Sequence, residues 1–270
     1  MKNVRLIIIL SVFVLITTII VLCSTVFTLN TVELGWLSTT KVLSDKTNEE
    51  IIESGNFKKG ESVFLIDKQK YKDNLEKNNP YLKVVNLEIK FPNILKVSVA
   101  EREELYALKV VNENSLSGYS YVFLDYDLKV LKITDTQVIA NQQNPAILTL
   151  ENLNYSINDF SAGSFTNLVV GDMLKSIGNM LSSAGYTNTL YKALIKTIDV
   201  KFDVNCTINI QTTYGLNLKL LKAEQKTSQK MLKALSVYEY YHSSHPEINS
   251  GDITVFEQNG EIVATGPNVN

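Results

Sequence analysis

The stretch FPNILKVSVAER, residues 91–102, places a Pro-Asn pair directly before a run in which apolar and more polar residues alternate. Proline fixes φ and asparagine tolerates unusual turn geometry, so Pro92-Asn93 predicts a turn. A two-residue period is typical of a strand with one buried face. The sequence therefore predicts a β-hairpin around this turn. The apolar positions of its two strands are Val85, Leu87, Ile89 and Phe91 before the turn and Leu95, Val97 and Val99 after it.

Two patterns upstream of the hairpin predict a strand and a first helix. Residues 31–36 are short and partly apolar, as in a strand. The stretch TNEEIIESG (47–55) has the residues of a capping box, with Thr47 at the N-cap and Glu50 three positions later. Gly55 is expected to stop this helix.

A second helix is predicted in IDKQKYKDNLEKN, residues 66–78. Asp67 can cap it, Ile66 and Tyr71 have the spacing of a hydrophobic staple, and Tyr71 and Leu75 form one buried stripe. The element order is then strand, helix, helix, strand, strand. Two short helices cover only one face of a three-stranded sheet, so the other face or an edge stays free. Such a domain suits docking better than catalysis.

An uncharged run of 24 residues, Leu6–Leu29, precedes this domain. As a helix it would be about 36 Å long, enough to cross a hydrocarbon core of about 30 Å. A cleaved signal peptide is the alternative, but the run is too long and no A-x-A site follows it. Lys2 and Arg5 precede the run, and the next positive residue is Lys41. The positive-inside bias therefore predicts a cytoplasmic tail at 1–5 and an extracytoplasmic location for everything after the span.

Charge and cysteine content argue against two further features. The 270 residues carry a net charge of −2, which offers no basic surface for nucleic acid. Cys23 lies in the apolar run and Cys206 in a strand-like run, so no disulfide is predicted. Leu22 stands where a lipoprotein signal would have a small residue.

Residues 103–264 predict a second, larger α+β domain, followed by a frayed tail at 265–270. Asn259-Gly260 marks either a turn between two short strands or a kink in one strand of DITVFEQNGEIVAT, residues 252–265. A helix is expected at 168–185, where Gly185 is its stop and one face carries Leu174, Ile177, Leu181 and Ala184. Another helix is expected at 227–241, where the residues at helical spacing are Met231, Leu235 and Tyr238. Strands are expected at 195–202, 206–213 and 216–223, with a turn at Tyr214-Gly215.

The candidates for catalysis are weak. The two histidines, His242 and His245, have H-x-x-H spacing, but no nearby cysteine supplies a third ligand and Pro246 ends the helix. Histidine at a helix C-terminus is favourable to the helix dipole without any metal. The sequence has neither a G-x-S-x-G turn nor a phosphate-binding loop. We therefore predict no catalytic residue, no metal and no cofactor.

The tyrosine-rich tract VYEYYH, residues 237–242, has two readings. Tyrosine is enriched in interface cores, so the tract can be a binding patch. Equally, Tyr238 and Tyr241 can be core residues with their hydroxyls at the surface. Both readings stay open at this point.

Residues 31–108, with the apolar run in front, resemble the POTRA domain of the FtsQ/DivIB cell-division proteins. Glu104 stands where that family often has proline. Farther along, YVFLDYDLKVLKI (121–133) is similar to a hairpin of the family, with Leu128 where glycine is usual, and residues 145–152 resemble the strand that follows. The positions that carry the POTRA resemblance are Gly60, Phe64, Pro80, Pro92, Asn93, Leu95, Val99, Glu101 and Arg102.

The resemblance implies a POTRA domain at 30–102, a β-domain at 103–264 and a single-pass protein of the cell membrane at the division septum. It implies a non-enzymatic scaffold that docks the FtsL and FtsB/DivIC-type coiled-coil proteins and so helps recruit or regulate the septal peptidoglycan synthase. The alternatives are a membrane-anchored extracytoplasmic hydrolase and a POTRA-type envelope transport component. By resemblance, the partner's strand would pair with an edge strand formed by Asp252, Ile253, Thr254, Val255 and Phe256; a plain edge strand that binds nothing is the other reading.

Overall fold

The structure is a computed structural model that describes residues 2–37, 46–141 and 143–267, with no side chain described at 2–6, 22 and 23. The chain has two compact units, Met1–Arg102 and Glu103–Asn270. We call them the first and the second unit. Both mix helices and strands, so the α+β class predicted from the sequence is confirmed for each.

Most of the apolar run lies in helix α1, Lys2–Thr25. The described large side chains between Ile7 and Val21 are exposed. Among the residues described, no helix meets both the length and the apolar character that crossing a membrane requires. The predicted span also continues too far, because Leu29 is buried in the first unit and its amide donates to Glu61 O at 2.8 Å.

The first unit has the predicted element order. Its described strands form one sheet in the order β1-β3-β2, with β1 parallel and β2 antiparallel to β3. Two helices pack on one face, where the buried residues include Ile51, Tyr71, Leu75, Leu95, Val97 and Val99. The elements are β1 (Thr31–Trp36), α2 (Asn48–Ser54), a 3-10 turn (Val63–Leu65), α3 (Lys68–Asn78), β2 (Leu82–Lys90) and β3 (Ile94–Glu101).

Both predicted helix caps of the first unit are present. In the capping box, Glu50 N donates to Thr47 Oγ1 at 3.2 Å and Thr47 N donates to Glu50 Oε2 at 2.7 Å. At the start of α3, Lys70 N donates to Asp67 Oδ1 at 3.0 Å. Gly55 ends α2 for a different reason than expected. Its φ of −73° needs no glycine, but a Cβ there would overlap the Phe57 ring.

The predicted alternation in β2 is wrong at two positions. Val85 and Phe91 are exposed, whereas Leu82 and Val84 are buried. Phe91 lies outside β2, which ends at Lys90. The exposure of Val85 follows from an irregularity in the pairing with β3 between Val84 and Asn86, typical of a β-bulge. One extra residue in a strand reverses the faces on which the neighbouring side chains lie, because side chains alternate with a period of two.

In the second unit, the described strands join one nine-stranded sheet in the order β12-β11-β10-β9-β8-β7-β4-β5-β6. Strand β4 and helix α5 were not predicted. The helices are α4 (Gly171–Ser183), α5 (Asn188–Leu194) and α6 (Thr227–Ser244). The strands are β4 (Tyr106–Val111), β5 (Tyr119–Leu124), β6 (Val130–Thr134), β7 (Ala146–Glu151), β8 (Ile195–Phe202), β9 (Cys206–Thr212), β10 (Leu216–Leu221), β11 (Gly251–Gln258) and β12 (Glu261–Thr265).

The core of the second unit lies between the sheet and its helices. Helix α6 packs on β10, β11 and β12, and α4 packs on α6. Ala184, predicted on the buried face of α4, is exposed because α4 ends before it and Gly185 turns the chain with a φ of +89°. The opposite face of β8–β11 is polar. The side chains that line a shallow groove there are Thr197, Asp199, Asn209, Gln211, Asn217, Lys219 and Asp252.

Leu128, which stands where the family usually has glycine, has a left-handed backbone with a φ of +63° and is buried. A non-glycine residue in this region is strained by roughly 1–2 kcal/mol, whereas truncating a buried leucine costs about 2–5 kcal/mol. We expect Leu128→Ala to destabilise the second unit by the larger amount, and Leu128→Gly to be less destabilising because it relieves the strain. Denaturant unfolding of both variants tests this. A glycine variant less stable than the alanine variant would show that the strain is negligible.

Candidate partner-binding edge

The predicted edge strand, Asp252–Phe256, lies in β11, and β11 is not at the edge of the sheet. On one side it pairs in parallel with β10, and on the other it pairs antiparallel with β12. Asn259 and Gly260 both have positive φ, 52° and 85°, as a two-residue hairpin turn requires. The turn folds β12 back onto β11, so the prediction of an edge at 252–256 is wrong.

The side chains of β11 divide between the two faces of the sheet. Ile253 and Val255 are fully buried in the core, so they cannot fill pockets on a partner. Asp252 is exposed on the opposite face, where Asn217 Nδ2 donates to its Oδ1 at 3.0 Å. Thr254 and Phe256 are half-buried on that same face.

The edge at this end of the sheet is β12, since among the described residues no strand pairs with its outer side. Residues Gln258 and Glu261 flank the two-residue turn and exchange hydrogen bonds in such a hairpin. Hydrogen-bonded pairs alternate along the ladder. The amide and carbonyl groups of Ile262 and Ala264 therefore point away from β11, into the open edge.

The β11–β12 hairpin is held by the residue that precedes α6. Lys226 Nζ donates to Glu257 Oε1 at 2.8 Å and to Gly260 O at 3.3 Å. The hydrogen bond from Lys226 lowers the pKa of the Glu257 carboxyl. The turn of the hairpin is thus tied to the start of α6, which presents β12 as an ordered edge.

The tyrosine-rich tract satisfies both of its readings in part. Tyr238 is buried in the core, but its hydroxyl is buried too and is not at the surface as predicted, while Tyr240 is exposed. Tyr241 is half-buried, and its hydroxyl occupies the space that a Cβ on Gly266 would need, directly after β12. The end of α6 therefore lies beside the end of the open edge.

The two histidines have aromatic and polar neighbours. His242 stacks on Tyr238 at 5.7 Å and lies 4.3 Å from the Tyr214 ring, measured between ring centroids. His245 Nδ1 lies 3.2 Å from Glu247 Oε1, and its Nε2 lies 3.2 Å from the Tyr240 hydroxyl. Within 2–37, 46–141 and 143–267, no three His, Cys, Asp or Glu side chains are grouped so that they could hold a metal ion.

Of the two cysteines, only Cys206 has a described side chain. It is buried, and desolvation raises the pKa of its thiol to about 11. The group is therefore a protonated thiol at neutral pH and a poor nucleophile.

The first unit contains a buried ion pair that its sequence did not predict. Arg102 Nη2 lies 2.9 Å from Glu76 Oε2, and both side chains are almost fully buried. Arg102 Nε also donates to Leu82 O at 3.2 Å. Glu76 Oε1 accepts from Val84 N at 2.9 Å, at the irregularity in β2. The pair thus joins α3, β2 and the end of β3, and the Glu-Arg pattern at 101–102 was its only sequence signal.

Comparison with known proteins gives two matches, one of which lies in the first unit. Residues 42–102 match the family model of the FtsQ-type POTRA domain. The chain is also 33% identical over 86 residues to the cell division protein DivIB of Clostridium acetobutylicum. That similarity covers 32% of this chain and 31% of the relative, so it spans less than a third of either protein. The two matches confirm the resemblance of this part of the chain to the FtsQ/DivIB cell-division proteins that was noted in the sequence.

Proposed function

We propose that this chain is a non-catalytic scaffold of the bacterial division machinery that binds its partner by strand addition at β12. The observation that carries the proposal is the open edge of β12, whose outward backbone groups belong to Ile262 and Ala264. Strand addition draws its affinity from main-chain hydrogen bonds and tolerates many side chains. An edge held in place by Lys226 has less freedom to lose on binding.

The partner we propose is a strand of an FtsL or FtsB/DivIC-type coiled-coil protein. Its side chains would alternate between two faces of the edge. One face offers Ile262 and Ala264 beside α6, and the other offers Val263 next to Phe256. By holding that complex, the chain would help recruit or regulate the septal peptidoglycan synthase. The predicted site is thereby moved from β11 to its neighbour β12.

We also propose that α1 anchors the chain in the cytoplasmic membrane, with the N-terminus inside and both units outside, at the division septum. The uncharged run Leu6–Leu29 and the two positive residues before it support this topology. The exposed apolar side chains between Ile7 and Val21 also support it, because such a surface is unfavourable in water.

A photo-crosslinking amino acid placed on each edge of the large sheet tests the partner site. At Val263 on β12, we expect an adduct with a coiled-coil division protein in living cells. At Ile133 on β6, the opposite edge of the same sheet, we expect none. Adducts are identified by mass spectrometry. An adduct with that protein from Ile133 but not from Val263 would place the partner at the wrong end of the sheet for this proposal.

A further inference from the structure

We propose that the first unit rests on an anionic lipid surface through three phenylalanine rings, those of Phe27, Phe64 and Phe91. We call these rings the aromatic platform. The inference rests on the anchoring of α1 proposed above, and it goes further by adding a second contact between this chain and the membrane. That contact would be made by a folded domain and not by the helix alone.

The platform is a single cluster of rings from three separate segments. The ring centroids of Phe27 and Phe64 are 5.5 Å apart, those of Phe64 and Phe91 are 5.8 Å apart, and those of Phe27 and Phe91 are 6.2 Å apart. Phe64 is 58% exposed and Phe91 is 62% exposed. The neighbouring Leu65 is 77% exposed. Large apolar side chains that meet at a surface in this way mark a site of interaction.

Backbone hydrogen bonds hold the three segments together. Val63 N donates to Phe27 O at 2.9 Å, which ties the segment before Phe64 to the chain that leaves α1. Asn30 N donates to Asn93 O at 2.9 Å, which ties that same chain to the hairpin turn after Phe91. The rings are therefore brought together by the fold of the first unit.

The position of the platform in the chain indicates lipid as its occupant. Helix α1 ends at Thr25, two residues before Phe27, and its described apolar side chains are exposed. Val26, between the helix and the platform, is also exposed. Ser24 and Thr25 lie between the two apolar stretches, and both hydroxyls donate to Val21 O, at 3.0 and 2.7 Å. If α1 lies in a bilayer, the platform lies at the level where aromatic side chains meet the headgroups.

Charge next to the platform favours anionic headgroups. Lys58 and Lys59 are exposed in the loop before Gly60, and Gly60 N donates to Leu29 O at 2.9 Å. This hydrogen bond brings the loop to the chain that leaves α1. Lysine side chains at a membrane surface are attracted to acidic lipids. Rings and lysines together fit a bilayer that contains acidic lipid.

Tryptophan fluorescence of the full chain in lipid vesicles tests the proposal. The chain has one tryptophan, Trp36, at the end of β1 away from the platform, and its indole donates to Asn48 Oδ1 at 3.0 Å. Five residues of strand separate Trp36 from Thr31, about 17 Å. Trp36 is therefore an internal control, and Phe64→Trp combined with Trp36→Phe moves the reporter to the platform. Phe91→Trp in the same background is a second reporter, in case the first perturbs the fold.

In vesicles of phosphatidylcholine and phosphatidylglycerol with brominated acyl chains, we expect the platform reporters to have blue-shifted emission and to be quenched. The parent, which reports from Trp36, should be quenched little. Water-exposed, unquenched emission from both reporters in chains that still float with the vesicles would overturn the platform and leave the anchor intact. Blue-shifted emission without quenching would mean that protein covers the rings, which also overturns the proposal. Chains that do not float at all would overturn the anchoring itself.

Discussion

Replacing Arg102 with methionine is expected to remove a large part of the stability of the first unit. The substitution leaves the Glu76 carboxylate buried without its ion pair, and breaking a buried pair in this way costs about 3–5 kcal/mol. A unit of this size has a total stability of only about 5–10 kcal/mol. The loss also reaches the backbone, because Arg102 binds Leu82 O while Glu76 binds Val84 N. Denaturant unfolding, with hydrogen exchange to follow β2 and β3, measures the effect.

Two controls separate the buried pair from charge in general. Lys90 and Glu33 form an ion pair at 3.2 Å in the same unit, but both side chains are about half exposed. Lys90→Ala should therefore change the stability by less than about 1 kcal/mol. Glu76→Gln added to Arg102→Met removes the buried negative charge and keeps an acceptor for Val84 N. The double variant is expected to be more stable than Arg102→Met alone. An Arg102→Met protein as stable as the Lys90→Ala protein would show that the buried pair does not hold the unit together.

Local signals account for what the sequence could predict. A capping box involves only residues from Thr47 to Glu50, and the alternation of β3 involves only its own neighbours, so both could be read directly. The same holds for the left-handed turn at Gly185. Each of these features is specified within a few residues, and the structure contains each of them.

Features fixed by distant residues could not be predicted. The irregularity in β2 coincides with the contact between Val84 and Glu76 of α3, which no local pattern encodes. Strand β4 was missed because it is mostly buried on both faces and so shows no alternation. Helix α5 has seven residues, too few to establish a helical period. The aromatic platform joins rings 37 and 27 positions apart in sequence, so the fold alone brings them together.

The prediction of an edge strand at 252–256 depended on the conformation of one dipeptide. Asn259-Gly260 allowed either a turn or a kink, and only the turn places β12 outside β11. The predicted residues lie in the correct hairpin, since β11 and β12 pair with each other. The strand with the open edge could be identified only once both partners of β11 were known.

The amide of Val255 points toward β10, because the amides of its neighbours Thr254 and Phe256 face β12. Proline at Val255 would therefore break the sheet before it tested any partner.

Proline at Ala264 is expected to weaken binding of the coiled-coil partner by about 10- to 100-fold, because an unmade buried hydrogen bond costs about 1–3 kcal/mol. The amide of Ala264 points into the open edge, so its loss leaves the ladder with β11 intact. Ala264→Gly is the matched control, since it trims the side chain but keeps the amide, and it should bind nearly as well as the parent. Binding is measured with the full chain in nanodiscs, alongside circular dichroism and thermal melting. A folded Ala264→Pro protein that binds as tightly as the parent would exclude strand addition at β12, and the surface near Tyr240 would become the next candidate.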